Sequence, residues 1–259
     1  MLMAKVAGIG TLEISLDLQL SLTSIEIAGT DWAWRGQRYP YPELCKERTI
    51  YYWTGKAFLP AARFRTSLIK LVPTEWGPPT FEIDGIKMLP SARESPYADA
   101  ERKVGLIQPQ GKLVLDTCGG LGYFAAWCLR AQATHVQSYE CNPDVIWLRS
   151  LNPWSPPANP NLSLSPIDVV GAIAALAGNS MDAALHDPPR FGIAGELYSQ
   201  AFYDQLARVL KRRGKLFHYT GSPNKMSRGR DLANEVTNRL QNAGFTVEKN
   251  GDGVLAVKR

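Results

Sequence analysis

The chain is poor in the residues that build metal centres. Its three histidines, His135, His186 and His218, lie far apart, and its four cysteines, Cys45, Cys118, Cys128 and Cys141, show no C-x-x-C spacing. Metal ligands recur at short fixed spacings, so no metal site is expected. Long apolar runs are missing as well. The opening stretch MLMAKVAGIGTLEISLDLQL carries Glu13 and Asp17 among its apolar residues, which fits neither a signal peptide nor a membrane span. The cytoplasm is the expected compartment, and no membrane partner is expected. Charge of one sign is scarce: 29 Lys and Arg against 24 Asp and Glu leave a net +5. So mild a balance permits an acidic partner such as RNA without demanding one. There are no internal repeats and no low-complexity tracts.

What is present is ordinary globular material, 259 residues with 45% hydrophobic and 20% charged content. That is enough for one large domain, or for a domain of about 150 residues with a smaller companion. Residues 11 to 90 read as β-rich. TLEISLDLQL alternates with period two, TIYYWTGKAF is aromatic around a Thr-Gly turn, and PTFEIDGIKML alternates around Asp-Gly. From Gly111 onward strands alternate with helical stretches. KLVLD, HVQSYE, NLSLS, MDAALHD and KLFHYT are strands, separated by YFAAWCLRAQA, PDVIWLRSL, IDVVGAIAALAG and SQAFYDQLARVLKRRG as helices. RDLANEVTNRLQNAG is a last helix, and FTVEKNGDGVLAVKR is a hairpin turning at Asn250-Gly251 or Asp252-Gly253. The expected fold is α/β: a Rossmann-like, doubly wound, mostly parallel seven-stranded sheet with a C-terminal β-hairpin over residues 96–259, plus a small N-terminal β-rich unit over 1–95.

The most informative stretch is VLDTCGGLGYFAAW. A strand ending in Asp116, followed by Gly119, Gly120 and Gly122 before a helix, lets backbone amides approach a ligand. Glu140 stands about 20 residues on, at the tip of the next strand, where an acid can accept from two ribose hydroxyls. GLGYFA also matches the G-x-G-x-x-A dinucleotide pattern, so an NAD oxidoreductase is a rival. Against it, Asp116 would face a doubly negative pyrophosphate. An acid there suits a ligand carrying an ammonium group.

On these residues the chain, from about Lys112 to Arg259, resembles the class I S-adenosylmethionine-dependent methyltransferases. The resemblance implies S-adenosylmethionine as cofactor. Asp116, Gly119, Gly120 and Gly122 would lie at its methionine end, with Cys118 and Tyr123 in the same turn. Glu140 would take the ribose, with Cys141 and Asn142 beside it, and Asp168 of SPIDVV the adenine amino group.

LHDPPRF, residues 185–191, ends the fourth strand with an acid and two prolines that cannot continue a ladder. This strand tip faces the crevice where the transferred group would sit. Asp187 is the candidate base and a further cofactor contact, with Pro188 and Pro189 fixing the backbone, Arg190 binding an anionic part of the acceptor, and Phe191 following. Base-amine methyltransferases resemble this stretch but place an aromatic where Arg190 stands. The C5-pyrimidine RNA methyltransferases also carry DPPR, yet their chemistry needs a cysteine nucleophile, and none follows Cys141. The acceptor is therefore expected to be an RNA base amine or a small anionic metabolite.

The chain also resembles the spermidine-synthase-like superfamily, through its β-rich start and GELYSQAFYDQLARVLKRRGKLF. Within it, LDTCGGLGY, LNPWS, HDPPRF, GELYS and HYTG together resemble a group of archaeal-type methyltransferases. An aminopropyltransferase using decarboxylated S-adenosylmethionine is the first alternative, although the acids it needs around a polyamine are not evident. A non-catalytic RNA-binding module using Lys211 to Lys215 and residues 225–230 is the second. After the fifth strand, His218 and Tyr219 are candidates to orient a nucleophile, and Lys225, Arg228 and Arg230 to bind an anion. Tyr97 and Asp99 are candidates to close over the cofactor, and Trp154 to pack near the adenine edge. His186 is expected to face a helix layer. A homodimer is left open.

Overall fold

The computed structural model describes residues 1–42, 45–221 and 231–259, which group into two units: 1–96 with 150–154, and 97–149 with 155–259. In the first unit a short helix α1 (Leu2–Val6) precedes the strands. β1 (Thr11–Ile14), β2 (Thr23–Ile27), β3 (Asp31–Trp34) and β4 (Gln37–Pro40) form one antiparallel sheet. β5 (Tyr51–Trp53) and β6 (Phe58–Pro60) make a hairpin around Thr54 to Ala57. β7 (Ala62–Phe64), β8 (Leu68–Val72), β9 (Thr80–Ile83) and β10 (Ile86–Lys87) make a second four-stranded sheet. Ile25, Trp32 and Tyr39 form the buried centre of the first sheet, with Trp32 and Tyr39 stacked at 4.6 Å.

The alternation in TLEISLDLQL predicts a longer strand than β1. The chain turns at Ser15 because Asp17 accepts from the Ser21 amide at 2.9 Å, and Leu18 and Gln19 take positive φ. Local side-chain bonds of this kind compete with a ladder and here prevail.

The second unit holds α2 (Pro96–Ile107), β11 (Leu113–Asp116), α3 (Tyr123–Arg130), β12 (His135–Tyr139), α4 (Pro143–Leu151), β13 (Leu162–Ser165), α5 (Val169–Ala172), β14 (Met181–His186), α6 (Gln200–Val209), β15 (Leu210–Tyr219), α7 (Leu232–Asn242), β16 (Phe245–Asn250) and β17 (Gly253–Lys258). The strands form one mixed seven-stranded sheet in the order β13-β12-β11-β14-β15-β17-β16. β13, β12, β11, β14 and β15 pair in parallel, and β17 and β16 add the antiparallel hairpin. Its two-residue turn is Gly251-Asp252, between the two Asn-Gly and Asp-Gly pairs that the sequence offers. The strand order reverses between β11 and β14, which places a crevice at their C-terminal tips.

The central strands are buried on both faces. Val114, Leu115, Ala183, Ala184, Leu185, Leu216 and Phe217 have no exposed surface, as expected for parallel strands covered by helices. Ser199 caps α6 by accepting from the Phe202 amide. SQAFYDQLARVLKRRG predicts helix through Gly214, whereas the helix stops at Val209 and Leu210 enters β15 directly. Pairing with β14 wins over local propensity, at the cost of a register shift between Met181 and Ala183 and a positive φ at Arg213. Similarly, IDVVGAIAALAG forms only one α-turn and a 3-10 turn over Ile173–Ala175. Among the described residues, no helix is long and apolar enough to cross a membrane.

Candidate functional site

The acids singled out from the sequence gather at the C-terminal edge of the parallel strands. Asp116 closes β11 with 1% of its surface exposed, and Oδ2 accepts from Ser138 Oγ of β12 at 2.8 Å. Its Oδ1 is buried with no partner at full hydrogen-bond geometry, although the Cys118 amide also acts on this carboxyl. Burial pushes the Asp116 carboxyl up to about 6, against the pull of Ser138 and Arg149. Glu140 follows β12 and accepts from the amides of Gly120 at 3.0 Å and Asn142 at 2.9 Å. Asn142 itself caps α4, its Oδ1 accepting from Asp144. Asp168 caps α5 through Oδ1, from the Val170 amide at 2.9 Å, and is exposed.

The glycine turn works differently from its sequence reading. A side chain at Gly119 would collide with Ser138 Oγ, and one at Gly122, where φ is +82°, would stand 2.6 Å from Arg149 Cζ. Gly119 is therefore required by Ser138 of the neighbouring strand, and Gly122 by a buried arginine packed beneath the turn. Gly120 is the one whose amide reaches an acid. Arg149 is 6% exposed, feels the charges of Asp116 and Glu140, and leaves Nη1 without a partner. Cys118 is partly buried and takes a weak contact from Thr117 Oγ1; burial pushes its thiol well up. Cys141 is exposed. Tyr123 and Tyr97 are buried edge to face at 5.3 Å, and the Trp127 indole donates to the Tyr97 carbonyl, so this aromatic group fastens α2 to α3.

Asp187 stands just past β14, its side chain 14% exposed. Pro188 is buried, and the Pro189 carbonyl accepts from Tyr198 Oη at 3.0 Å, so a buried tyrosine holds the proline pair in place. Arg190 is exposed in the turn that follows, and Phe191 packs edge-on against Tyr198 at 5.5 Å.

Lys103 is the residue that sequence reasoning missed. It comes from α2 with its side chain 0% exposed. Its ammonium lies 2.7 Å from Asp99, and 3.7 Å from both Asp187 and Asp252. The Tyr219 ring sits 4.3 Å from the same nitrogen, and Arg102 bridges Asp99 to Asp252. Burial pushes Asp187 up to about 6; Lys103 opposes this, while Asp99 and Asp252 add to it. The acids that the sequence did not make evident near Asp187 are present: Asp99, Asp187 and Asp252 converge on Lys103 from distant segments. Lys103 was nonetheless visible in principle. Ala100, Lys103, Val104 and Ile107 share the i, i+3, i+4, i+7 face of α2 and are all buried, so a charge occupies an apolar position. Arg149, beside Val145 and Leu148, breaks α4 in the same way.

Other expectations are corrected. His218 faces the core instead of a nucleophile. It is fully buried, with Nδ1 donating to the Tyr219 carbonyl and Nε2 accepting from Tyr203 Oη, which uses both ring nitrogens. His186 does face a helix layer, as expected: it is equally buried, 5.2 Å from the Phe202 ring of α6, its Nε2 donating to the Leu197 carbonyl and its Nδ1 paired with Thr117 Oγ1. Burial lowers both imidazoles, that of His186 to about 4. Trp154 belongs to the first unit, where its indole donates to the Leu18 carbonyl. Lys211 pairs with Asp182 at 2.6 Å at the opposite end of the sheet from Asp187, so the 211–215 run is no part of this edge. Lys225, Arg228 and Arg230 lie outside the described residues.

No family model matches the chain. The fold is similar to spermidine synthase in complex with the transition state analogue AdoDATO, with a TM-score of 0.62 and 15% identity over 86% of this chain and 84% of that one. It is also similar to the spermidine synthase of Thermotoga maritima, with a TM-score of 0.58 and 15% identity over 86% and 82%. At such identity the likeness shows the fold alone, the α/β architecture of these spermidine synthases. At the level of sequence, the uncharacterized protein MJ1233 of Methanocaldococcus jannaschii is 40% identical over 217 residues, which cover 82% of this chain and 74% of that protein. The chain belongs to the family of that archaeal protein.

Proposed function

We propose that the chain is a group transferase that uses S-adenosylmethionine and moves its methyl group to an acceptor held beside Asp187. The observation that carries this reading is Asp116: a buried carboxylate with one oxygen that lacks a full hydrogen bond, at the switch point, one strand from Glu140. A buried acceptor short of a partner calls for a donor from a ligand, and an ammonium suits a carboxylate best. Each oxygen of Glu140 keeps a lone pair beyond its backbone bond for a ribose hydroxyl. Asp168 Oδ2, which the helix cap through Oδ1 leaves unused, would accept from the adenine amine. The residues present therefore fit the cofactor. When bound, it supplies an electrophilic carbon on a sulfonium. Asp187 would receive the proton that an acceptor hydroxyl or amine loses, and Tyr198 would hold the Asp187 backbone steady through the prolines.

Aminopropyl transfer from decarboxylated S-adenosylmethionine is the second reading; in it Asp99, Asp187 and Asp252 would have to hold a polyamine ammonium in place of Lys103. Calorimetric titration with S-adenosylmethionine, its demethylated product, decarboxylated S-adenosylmethionine and NAD separates the readings, with Glu140→Ala as control. Binding of the first two, lost in the control, is expected. Preference for the decarboxylated compound would select the second reading, and binding of NAD alone would replace both.

A further inference from the structure

The group around Lys103 has the composition of a cation cage. Carboxylates of Asp99, Asp187 and Asp252 lie 2.7, 3.7 and 3.7 Å from the ammonium, and the rings of Tyr219, Phe217 and Phe124 lie at 4.3, 5.9 and 6.0 Å. Aromatic faces combined with acids are the chemistry that recognises alkylammonium groups. The cage is filled from within, by an ammonium on a four-carbon stem that has no contact with solvent. A buried charge is tolerated only when paired; three acids surround this one, and two of them, Asp99 and Asp252, also pair with Arg102.

We propose that Lys103 is a built-in ammonium that occupies the cationic subsite next to Asp187, so that the acceptor position admits a neutral or anionic nucleophile and excludes alkylammonium acceptors. The proposal rests on the reading of Asp187 as the acceptor's neighbour. Its physical basis is occupancy and charge together. An incoming ammonium would have to displace Lys103, which cannot leave α2, or share the acids with it at close range, and like charges in a buried site repel strongly. A neutral hydroxyl or amide meets neither obstacle.

Wild type, Lys103→Ala and Lys103→Met are titrated with n-butylamine and putrescine, by calorimetry and by thermal melting. Wild type is expected to bind neither amine at millimolar concentration. Lys103→Ala is expected to bind n-butylamine saturably, at least tenfold more tightly than wild type, with a rise in its melting temperature. Lys103→Met refills the volume without charge and is expected to gain no amine binding. Micromolar binding of putrescine by wild type would overturn the proposal, as would amine binding by Lys103→Ala within twofold of wild type. If Lys103→Ala folds poorly, recovery of folded protein on refolding with n-butylamine supports the proposal, and no recovery overturns it. Titration of wild type with S-adenosylmethionine keeps the two ideas apart. Silence there removes the cofactor reading, while the amine titrations still report on the cage.

Discussion

Asp116 and Ser138 face each other as register partners on β11 and β12, and the serine hydroxyl donates to the carboxylate where neither side chain meets water. The bond stabilises the ionised acid at the position where burial most opposes it. Asp116→Asn removes the charge and keeps the shape. The expected outcome is a loss of S-adenosylmethionine affinity of roughly ten- to a hundredfold, the worth of one charged hydrogen bond. Ser138→Ala should give a smaller loss that worsens as pH falls. Calorimetry at pH 8 and pH 6 checks both.

Gly122→Ala tests the packing beneath the turn. The substitution forces a side chain into left-handed backbone and against Arg149. The expected destabilisation is about 2 to 4 kcal/mol, from positive φ and overpacking together. Denaturant unfolding measures it. Gly120→Ala, at φ +48°, should feel the first cost.

The buried histidines set an acid limit. His186 is held neutral with its pKa lowered to about 4, against an ordinary value of 6.5. The unfolded chain therefore binds the proton more readily, and this contribution to stability is lost as pH falls from about 6.5 toward 4. At pH 5 it amounts to roughly 2 kcal/mol. Asp116 and Asp187, raised to about 6, act with the opposite sign, since their folded forms take up protons first. His186→Gln keeps a neutral donor and acceptor. Its loss of stability between pH 7 and pH 5 should be about 2 kcal/mol smaller than that of wild type, as urea melts at the two values would record.

Asp252 raises the pKa of Asp187 by its charge, so Asp252→Asn should lower the Asp187 midpoint from about 6. Carbon-13 NMR of labelled aspartate carboxyls reads the titration directly. An unmoved midpoint would show that the two carboxylates do not sense each other.

The order of elements was legible because β-α alternation, capping residues and Asp-Gly turns are local signals. VLDTCGG and LHDPPRF gave the strand tips for the same reason. Three kinds of information were not local. The end of α6 is decided by a strand 30 residues away in sequence, and only pairing with Met181 shows it. Gly119 is explained by Ser138 of β12 and Gly122 by Arg149, whose burial needs α4 to be folded over it. The acids around Lys103 come from residues 99, 187 and 252, which no window spans. Lys103 and Arg149 did leave a trace, as charges on apolar helix faces. His218 gave no such warning, since a histidine beside a strand tip reads alike whether it faces a crevice or a core.

The turn of the C-terminal hairpin places Asp252 against Arg102 and Lys103, 150 residues earlier in the chain. An edge hairpin is usually the part of a sheet that can fray without consequence, but here its tip carries a wall of the candidate site. The consequence is one of timing. During synthesis the strand tips of β11 through β14 can assemble early, whereas the acid group around Lys103 is complete only when the last two strands have emerged and paired. A nascent chain would thus complete the strand tips around Asp116 and Glu140 before the acid group around Lys103.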